Sequence, residues 1–353
     1  MARKKSVTLP MLAEKLQLSV YTVSKALRGL PGMSEATRRE VILLAKELGY
    51  LTKDQERSLL YEGIPRLSIQ QRRFLMVTTS HFSFTFQQLF LGLKERMHEL
   101  GHKVDMAFMP ATLSTEGFKE WVDQEGIMYS DGLFLAPLIP EPLEALLLEL
   151  RLPRVLINFP PVGARVDSII WDIHDATIQS VRYLIANGHR NIMYVGDTTT
   201  TRGYKHRWDV FQLTMKQEGI EVEESSHFIR ISTKDPEWIA TFQNHLERNN
   251  PTALICSSHG TNLSWLFYAC SEAGRKIPGD VSIILIDNLQ ASTVPDITRP
   301  VLFMQETGYR AADRMLWRIA NTQMPYEHIR VQGTFFEGAT VRNLLAVEQG
   351  TTQ

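Results

Sequence analysis

The chain has 353 residues, 44% of them hydrophobic and 22% charged, which excludes a disordered, collagen-like or coiled-coil protein and predicts two or three compact units. Its net charge of −1 speaks, taken alone, against both a nucleic-acid partner and a strongly charged substrate. That sum hides an asymmetry. Residues 1–50 hold nine Lys/Arg against four Glu, net +5, while the remaining 303 residues hold 29 basic and 35 acidic side chains, net −6. A basic segment joined to an acidic body points to nucleic-acid binding by the basic part.

The first 50 residues predict three short helices. One begins after Thr8 as N-cap, with Pro10 in its first turn, where a missing N–H costs nothing. A second begins after Ser19. A third follows Ser34 as N-cap, carries Val41, Ile42, Leu44, Ala45 and Leu48 on one side, and is closed by Gly49 as a left-handed stop. Residues 51–73 are polar, contain Gly63 and Pro65, and end in Arg72-Arg73, the composition of a linker.

From Phe74 onward, continuous apolar runs (74–78, 104–108, 132–136, 155–158, 168–171, 191–195, 253–256, 281–286) alternate with helical segments (87–100, 175–187, 207–218, 236–247, 261–273, 309–320). That alternation predicts parallel sheets covered on both faces. Pro160-Pro161-Val162-Gly163 stands halfway and is taken as the crossing between two lobes. Cys256 and Cys270 lie among apolar neighbours without zinc-ligand spacing and read as reduced thiols of a cytosolic protein. The basic N-terminus runs into no apolar export segment, and no stretch has the apolar length of a membrane span.

Two helices joined by a tight turn, the second short and rich in hydroxyl side chains, make the form of a DNA-binding helix-turn-helix. The stretch VTLPMLAEKLQLSVYTVSKALRGLPGMSEATRREVILLAKELGY (7–50) resembles the headpiece of the lactose-repressor (LacI/GalR) family of bacterial transcription regulators. That family's signature is approximately V-T-x-x-x-V-A-x-x-A-G-V-S-x-x-T-V-S-R-x-L-N-G, then S-x-x-T-R and L-G-Y. Val7, Thr8, Ala13, Ser19, Thr22, Val23, Ser24, Leu27, Gly29, Ser34, Thr37, Arg38, Leu48, Gly49 and Tyr50 match it. On the second helix, Val20 and Tyr21 can contact thymine methyls and Lys25 can donate to guanine O6/N7. The hydroxyls of Thr8, Ser19, Thr22 and Ser24 can hold phosphates, with capping as the alternative reading for Ser19, Thr22 and Ser24. Tyr50 is counted with this DNA-contacting set.

This chain departs from the family in places. Gln17 stands where the family has its turn glycine, so a non-glycine residue must accept φ > 0 or the turn is reshaped. Arg28 replaces an asparagine and adds a phosphate contact, with a solvated face as the alternative. The resemblance implies a hinge helix after Tyr50 that enters the minor groove; Arg57 and Leu59 match it, Leu59 as the wedge between base steps or as ordinary packing. Asp54 and Glu56 would be repelled by phosphates there.

The resemblance continues weakly to about Asn343 and implies a periplasmic-binding-protein-like domain of two α/β lobes with an effector between them. Asn187-Gly188-His189-Arg190-Asn191-Ile192 and Ile277-Pro278-Gly279-Asp280-Val281-Ser282 are its landmarks. Ligands in such sheets bind beyond the carboxyl ends of strands. Ser80 and His81 follow the first strand, and Phe86 stands at the place of the family's ring-stacking aromatic. Arg207 matches the arginine of the family's R-x-x-G-[FYW], with Val210 in place of the glycine. Asp287 matches the first acid of its F-D-D, with Asn288 in place of the second, and Asp175 stands near where an effector-contacting acid occurs in some members. Trp171 and His259 are further candidates, with packing as the alternative. An arginine fork, a carboxylate and an aromatic face suit a sugar, although Arg207 and Asp287 could merely pair and Phe86 could be core. The family's A-N-D reads Ser258-His259-Gly260 here, so a usual ligand-contacting asparagine is missing.

The sequence thus predicts an α/β protein with an N-terminal three-helix helix-turn-helix headpiece (1–50), a linker (51–73), a two-lobed effector-binding and dimerisation domain (74–345) and a tail (346–353). The first lobe is placed at about 74–160 plus 297–322 and the second at 161–296 plus 323–345. The expected function is a cytoplasmic, nucleoid-associated regulator, by family expectation a repressor. It binds a palindromic operator as a homodimer and answers to a sugar or sugar derivative, with no cofactor, metal or membrane partner. The alternative is a helix-turn-helix protein whose α/β domain is an enzyme acting on a sugar or nucleoside, but no phosphate loop, H-E-x-x-H, G-x-S-x-G or dinucleotide fingerprint is present. A transporter's solute-binding protein would have no use for residues 1–50.

Overall fold

The computed structural model describes residues 7–27, 30, 32–48, 50, 71–79, 84–110, 112–229, 237–257, 261–287 and 296–345. The chain forms two compact units, Met1–Pro65 and Arg66–Gln353.

In the first unit, helices α1 (Leu9–Leu16), α2 (Val20–Leu27) and α3 (Glu35–Leu48) follow one another as the caps predict. The backbone N–H of Thr22 donates to Ser19 Oγ at 3.0 Å, and that of Thr37 to Ser34 Oγ at 3.1 Å, satisfying N-terminal donors that would otherwise be orphaned. Leu12, Ala13, Val23, Ala26, Val41 and Ala45 form the buried core. Each buried Leu or Val there contributes about 1.5–3 kcal/mol. Gln17 ends α1 in the left-handed region, φ 53° and ψ 36°. The turn keeps its shape despite the missing glycine, and glutamine accepts the strain. The proposed Gly49 stop lies outside the described residues.

The second unit contains two parallel sheets. The larger runs in the order β11-β5-β4-β3-β1-β2, from β1 (Arg73–Thr78), β2 (Lys103–Phe108), β3 (Gly132–Leu135), β4 (Arg154–Leu156), β5 (Asp167–Trp171) and β11 (His328–Val331). The smaller runs β7-β6-β8-β9, from β6 (Ile192–Gly196), β7 (Phe228–Ile229), β8 (Ala253–Ser257) and β9 (Ser282–Leu285). β10 (Arg299–Val301) and β12 (Thr334–Phe336) form an antiparallel ribbon. The central strands are buried on both faces, as their unbroken apolar runs require. Helices α4 (Phe84–Glu99) and α11 (Met304–Ala320) meet backbone to backbone on the first lobe. A Cβ on Gly92 would stand 1.9 Å from the Gln305 carbonyl oxygen, and one on Gly308 2.0 Å from that of Leu89, so only glycine permits this approach.

The lobe boundary differs from the sequence expectation. Pro160-Pro161-Val162-Gly163 is a surface turn within the first lobe, with Val162 fully exposed and Gly163 at φ 78°. β5 and β11, both assigned to the second lobe, belong to the first sheet. The physical reason is a buried ion cluster. Asp167 at the head of β5 accepts from Arg314 Nε (2.8 Å) and Nη2 (2.6 Å) and from Arg318 Nε (2.5 Å), both on α11, and from the backbone N–H of Glu327 (3.0 Å). Burial alone would raise the Asp167 pKa. These hydrogen bonds outweigh it and hold the carboxyl below its ordinary value. The chain crosses to the second lobe after β5, through α7 (Ile173–Ala186). After β11 it returns there, where the Ile283 N–H donates to the Thr340 carbonyl.

Candidate DNA interface and effector cleft

On the headpiece, α2 turns Val23 and Ala26 inward and leaves Val20 and Tyr21 exposed at its N-terminal end, at 44% and 69%. The Lys25 ammonium lies 6.0 Å from the Tyr21 ring centroid. It also crosses over Gly32, whose missing Cβ would stand 2.7 Å from it. Exposed Val20 and Tyr21 and half-buried Lys25 give this end of the helix an apolar, a phenolic and a cationic member, the chemistry that reads base edges in a major groove. Thr8 caps α1 by position, yet its exposed hydroxyl makes no capping hydrogen bond. The Thr22 hydroxyl is instead shared with Ser19 at 2.8 Å. Tyr50 packs against the headpiece core, with its N–H donating to the Ala45 carbonyl. Arg28, Arg57, Leu59 and the hinge segment lie outside the described residues.

On the body, the carboxyl ends of the strands converge on a cleft with about 640 Å³ of open space. Four sequence-predicted residues line it: Phe86 from α4, Trp171 from the end of β5, Arg207 from α8 (Arg202–Gln217) and Asp287 after β9. Arg207 and Asp287 are both more than nine-tenths buried. The Arg207 guanidinium lies 5.1 Å from the Tyr204 ring centroid and donates from Nη1 to Ser257 Oγ at 3.4 Å. Arg207 Nε and Trp171 Nε1 are buried N–H donors without an acceptor among the described residues, each costing about 1–3 kcal/mol until one is supplied. Asp175 is not in the lining. Its carboxylate accepts from Gln179 (2.6 Å) and Gln332 (3.2 Å). Ser80, His81 and His259 lie outside the described residues.

Sequence reasoning missed Asn158, Phe159, Thr201 and Tyr204, all of which line the cleft. Two were findable, since Asn158 and Phe159 end an apolar run as Ser80 and Trp171 do. Asn158 is held in place: its Nδ2 donates to the Pro137 carbonyl (3.1 Å) and its Oδ1 accepts from the Phe159 N–H (2.8 Å). Phe159 is braced by His174 and His206, with ring centroids at 5.2 and 4.5 Å. Arg330 Nη1 stands 2.9 Å from His174 Nδ1. Burial, then the charge of Arg330 and the neighbouring His206, pushes His174 below the ordinary histidine range. Thr201 caps α8 by accepting from the Tyr204 N–H at 3.2 Å.

Outside the cleft, Cys256 and Cys270 are buried thiols, and burial pushes Cys270 up to about 12. Among the described residues no His/Cys/Asp/Glu group could hold a metal, and no helix is long and apolar enough to cross a membrane.

Residues 181–341 match the model of the periplasmic binding protein-like domain. The HTH-type transcriptional repressor PurR of Escherichia coli O139:H28 is 26% identical over 341 residues, covering 95% of this chain and 96% of that protein. Two solved structures share the fold over nearly the whole length. One is the transcriptional regulator CelR in complex with cellobiose, with a TM-score of 0.67, 20% identity and 95% and 99% of the two chains covered. The other is the Lac repressor dimer bound to operator and the anti-inducer ONPF, with a TM-score of 0.64, 19% identity and 96% and 100% covered. With its helix-turn-helix signature, its two parallel-sheet lobes and this end-to-end likeness to a repressor, the chain resembles the LacI/GalR family of transcriptional regulators over nearly its whole length.

Proposed function

We propose that the protein is a cytoplasmic transcriptional repressor that binds a palindromic DNA operator as a homodimer and is controlled by a sugar or sugar derivative held between its lobes. The observation that carries the reading is the pair of exposed residues Val20 and Tyr21 beside half-buried Lys25 on a short, capped second helix. One such headpiece reads a half-site, and two related by symmetry read a palindrome. Residues 1–50 supply the positive charge that phosphates attract, so binding weakens as salt rises. In the body, residues 74–345, the aromatic faces of Phe86, Phe159, Trp171 and Tyr204 suit the C–H face of a pyranose. The buried donors of Arg207 and Trp171 suit its oxygens. An enzyme reading is not favoured, because relatives that match nearly the whole length are repressors.

Selection from a random duplex library tests the DNA half. The full chain should enrich a palindrome, and the Tyr21→Ala/Lys25→Ala double variant should bind without enriching any sequence. Enrichment of the same sequence by that variant sinks the assignment of the recognition helix. For the effector half, thermal shift against cellobiose, glucose and phosphorylated sugars should show a stabilised body, by about 2.7 kcal/mol at a hundred times the Kd. No response to any of them sinks the sugar assignment.

A further inference from the structure

The turn that walls the cleft with Thr201, Gly203 and Tyr204 carries, between them, a residue that reaches the other way. Arg202, the first residue of α8 on the second lobe, points at the first lobe. Its Nη2 donates to both carboxylate oxygens of Glu144, at 2.6 and 2.7 Å, and its Nη1 to Glu141 at 3.2 Å. Both acids sit on α6 (Glu141–Glu149), between β3 and β4 of the first sheet. Arg202 Nε donates to the carbonyl of Phe159, a cleft residue, at 2.9 Å. The Glu144 side chain is only 1% exposed and that of Arg202 16%.

We propose that Arg202 and Glu144 form a clasp that fixes the angle between the two lobes and thereby regulates the effector cleft beside it, a reading that rests on the cleft function proposed above. The guanidinium fork uses three of its nitrogens on one lobe while its backbone belongs to the other. Such bidentate geometry tolerates little rotation. A rotation that opens the cleft at Thr201 and Phe159 withdraws Arg202 from Glu144 and lets water reach both charges. The contact is therefore complete or absent, which makes the lobe angle a two-position element. A ligand that needs one position has its affinity scaled by the fraction of molecules already there. Arg202 and Glu144 set that fraction without lining the cleft. They are positioning residues.

The test measures the angle itself in the full-length protein. Cysteines replacing Tyr129 on the first lobe and Leu213 on the second, both exposed (87% and 56%), carry spin labels, while native Cys256 and Cys270 are buried and stay unlabelled. Labelled chains are diluted with unlabelled ones, so that double electron–electron resonance reads distances within one chain. The parent should give one narrow distribution. Glu144→Gln, which is isosteric, and Arg202→Gln should both lose the parent peak to longer distances, and Arg202→Lys, which keeps the charge without the fork, should lie between. Circular dichroism verifies folding, and should one glutamine variant fail to fold, the other and Arg202→Lys decide. Parent-like distributions in the folded variants overturn the clasp. Because neither DNA nor sugar enters this measurement, failed operator selection or failed sugar response overturns the function while leaving the clasp standing.

Discussion

Acid should loosen the second lobe through His227. This residue is 5% exposed, and its Nδ1 accepts the backbone N–H of Tyr194, on β6, at 2.9 Å. Trp208 and Phe211 present their rings to it with centroids at 5.2 and 5.3 Å. Burial pushes its pKa down to about 4, so the folded protein keeps the ring neutral where the unfolded chain, near 6.5, takes up a proton. The unfolded state binds more protons throughout this interval. Stability is therefore fully present above the unfolded value and is lost as pH falls from about 6.5 toward 4. Between pH 7 and pH 5, linkage with these two values gives a loss of about 2 kcal/mol from this one group. His102, His174, His189, His206 and His245 are also held below the ordinary histidine value, with burial the first cause for each, so the parent's total loss is larger. His227→Asn isolates the contribution, because its Oδ1 can accept the Tyr194 N–H while the side chain no longer titrates. Urea unfolding at pH 7 and pH 5, followed by the fluorescence of the adjacent Trp208, should show a pH-dependent loss smaller by about 2 kcal/mol in the variant. Equal losses in parent and variant would refute the assignment of the acid sensitivity to His227.

Two further substitutions probe strain and buried charge. Gln17→Gly should stabilise the headpiece by about 1 kcal/mol, since glycine occupies the left-handed region without a Cβ clash. Hydrogen exchange in the full chain should show headpiece protection rising about fivefold, and unchanged or lower protection counts against a strained turn. Asp167→Asn should cost about 3–5 kcal/mol, because Arg318 would stay buried without a counter-charge and Arg314 would keep only the half-exposed Glu327, 2.8 Å away. Thermal melting that shifts by less than a few degrees would show that the two arginines find other partners.

Legibility followed sequence distance. The three headpiece helices could be read because their determinants are local: Ser19 and Ser34 cap three residues ahead, and Gln17 betrayed its strained turn by standing where a glycine belongs. In the body, the strand and helix alternation was visible, but the membership of β5 and β11 was not. The bonds that decide it join Asp167 to arginines 147 and 151 residues later, and no period or motif encodes a pairing across such a span. The cleft was legible where one residue type at a strand end or a family landmark marked it, as with Arg207 and Asp287. Phe159 was missed because its role comes from partners on other elements, His174, His206 and Arg330. Asp175 was misjudged because Gln332, which engages it, lies 157 residues away.

The meeting of α4 and α11 through Gly92 and Gly308 has a consequence for the order in which the protein can be made. The headpiece draws its buried core from Leu12 to Ala45, all of it synthesised before the first lobe begins. The parts of the first lobe are not made together. Its helix α4 is synthesised before residue 100, yet the helix that covers it ends at Ala320 and the strand that completes its sheet ends at Val331. The apolar back of that lobe must therefore wait, uncovered, while the entire second lobe is translated. On the function proposed above, a ribosome that stalls before residue 304 would release a chain with a complete headpiece to engage DNA and a body that cannot yet hold an effector.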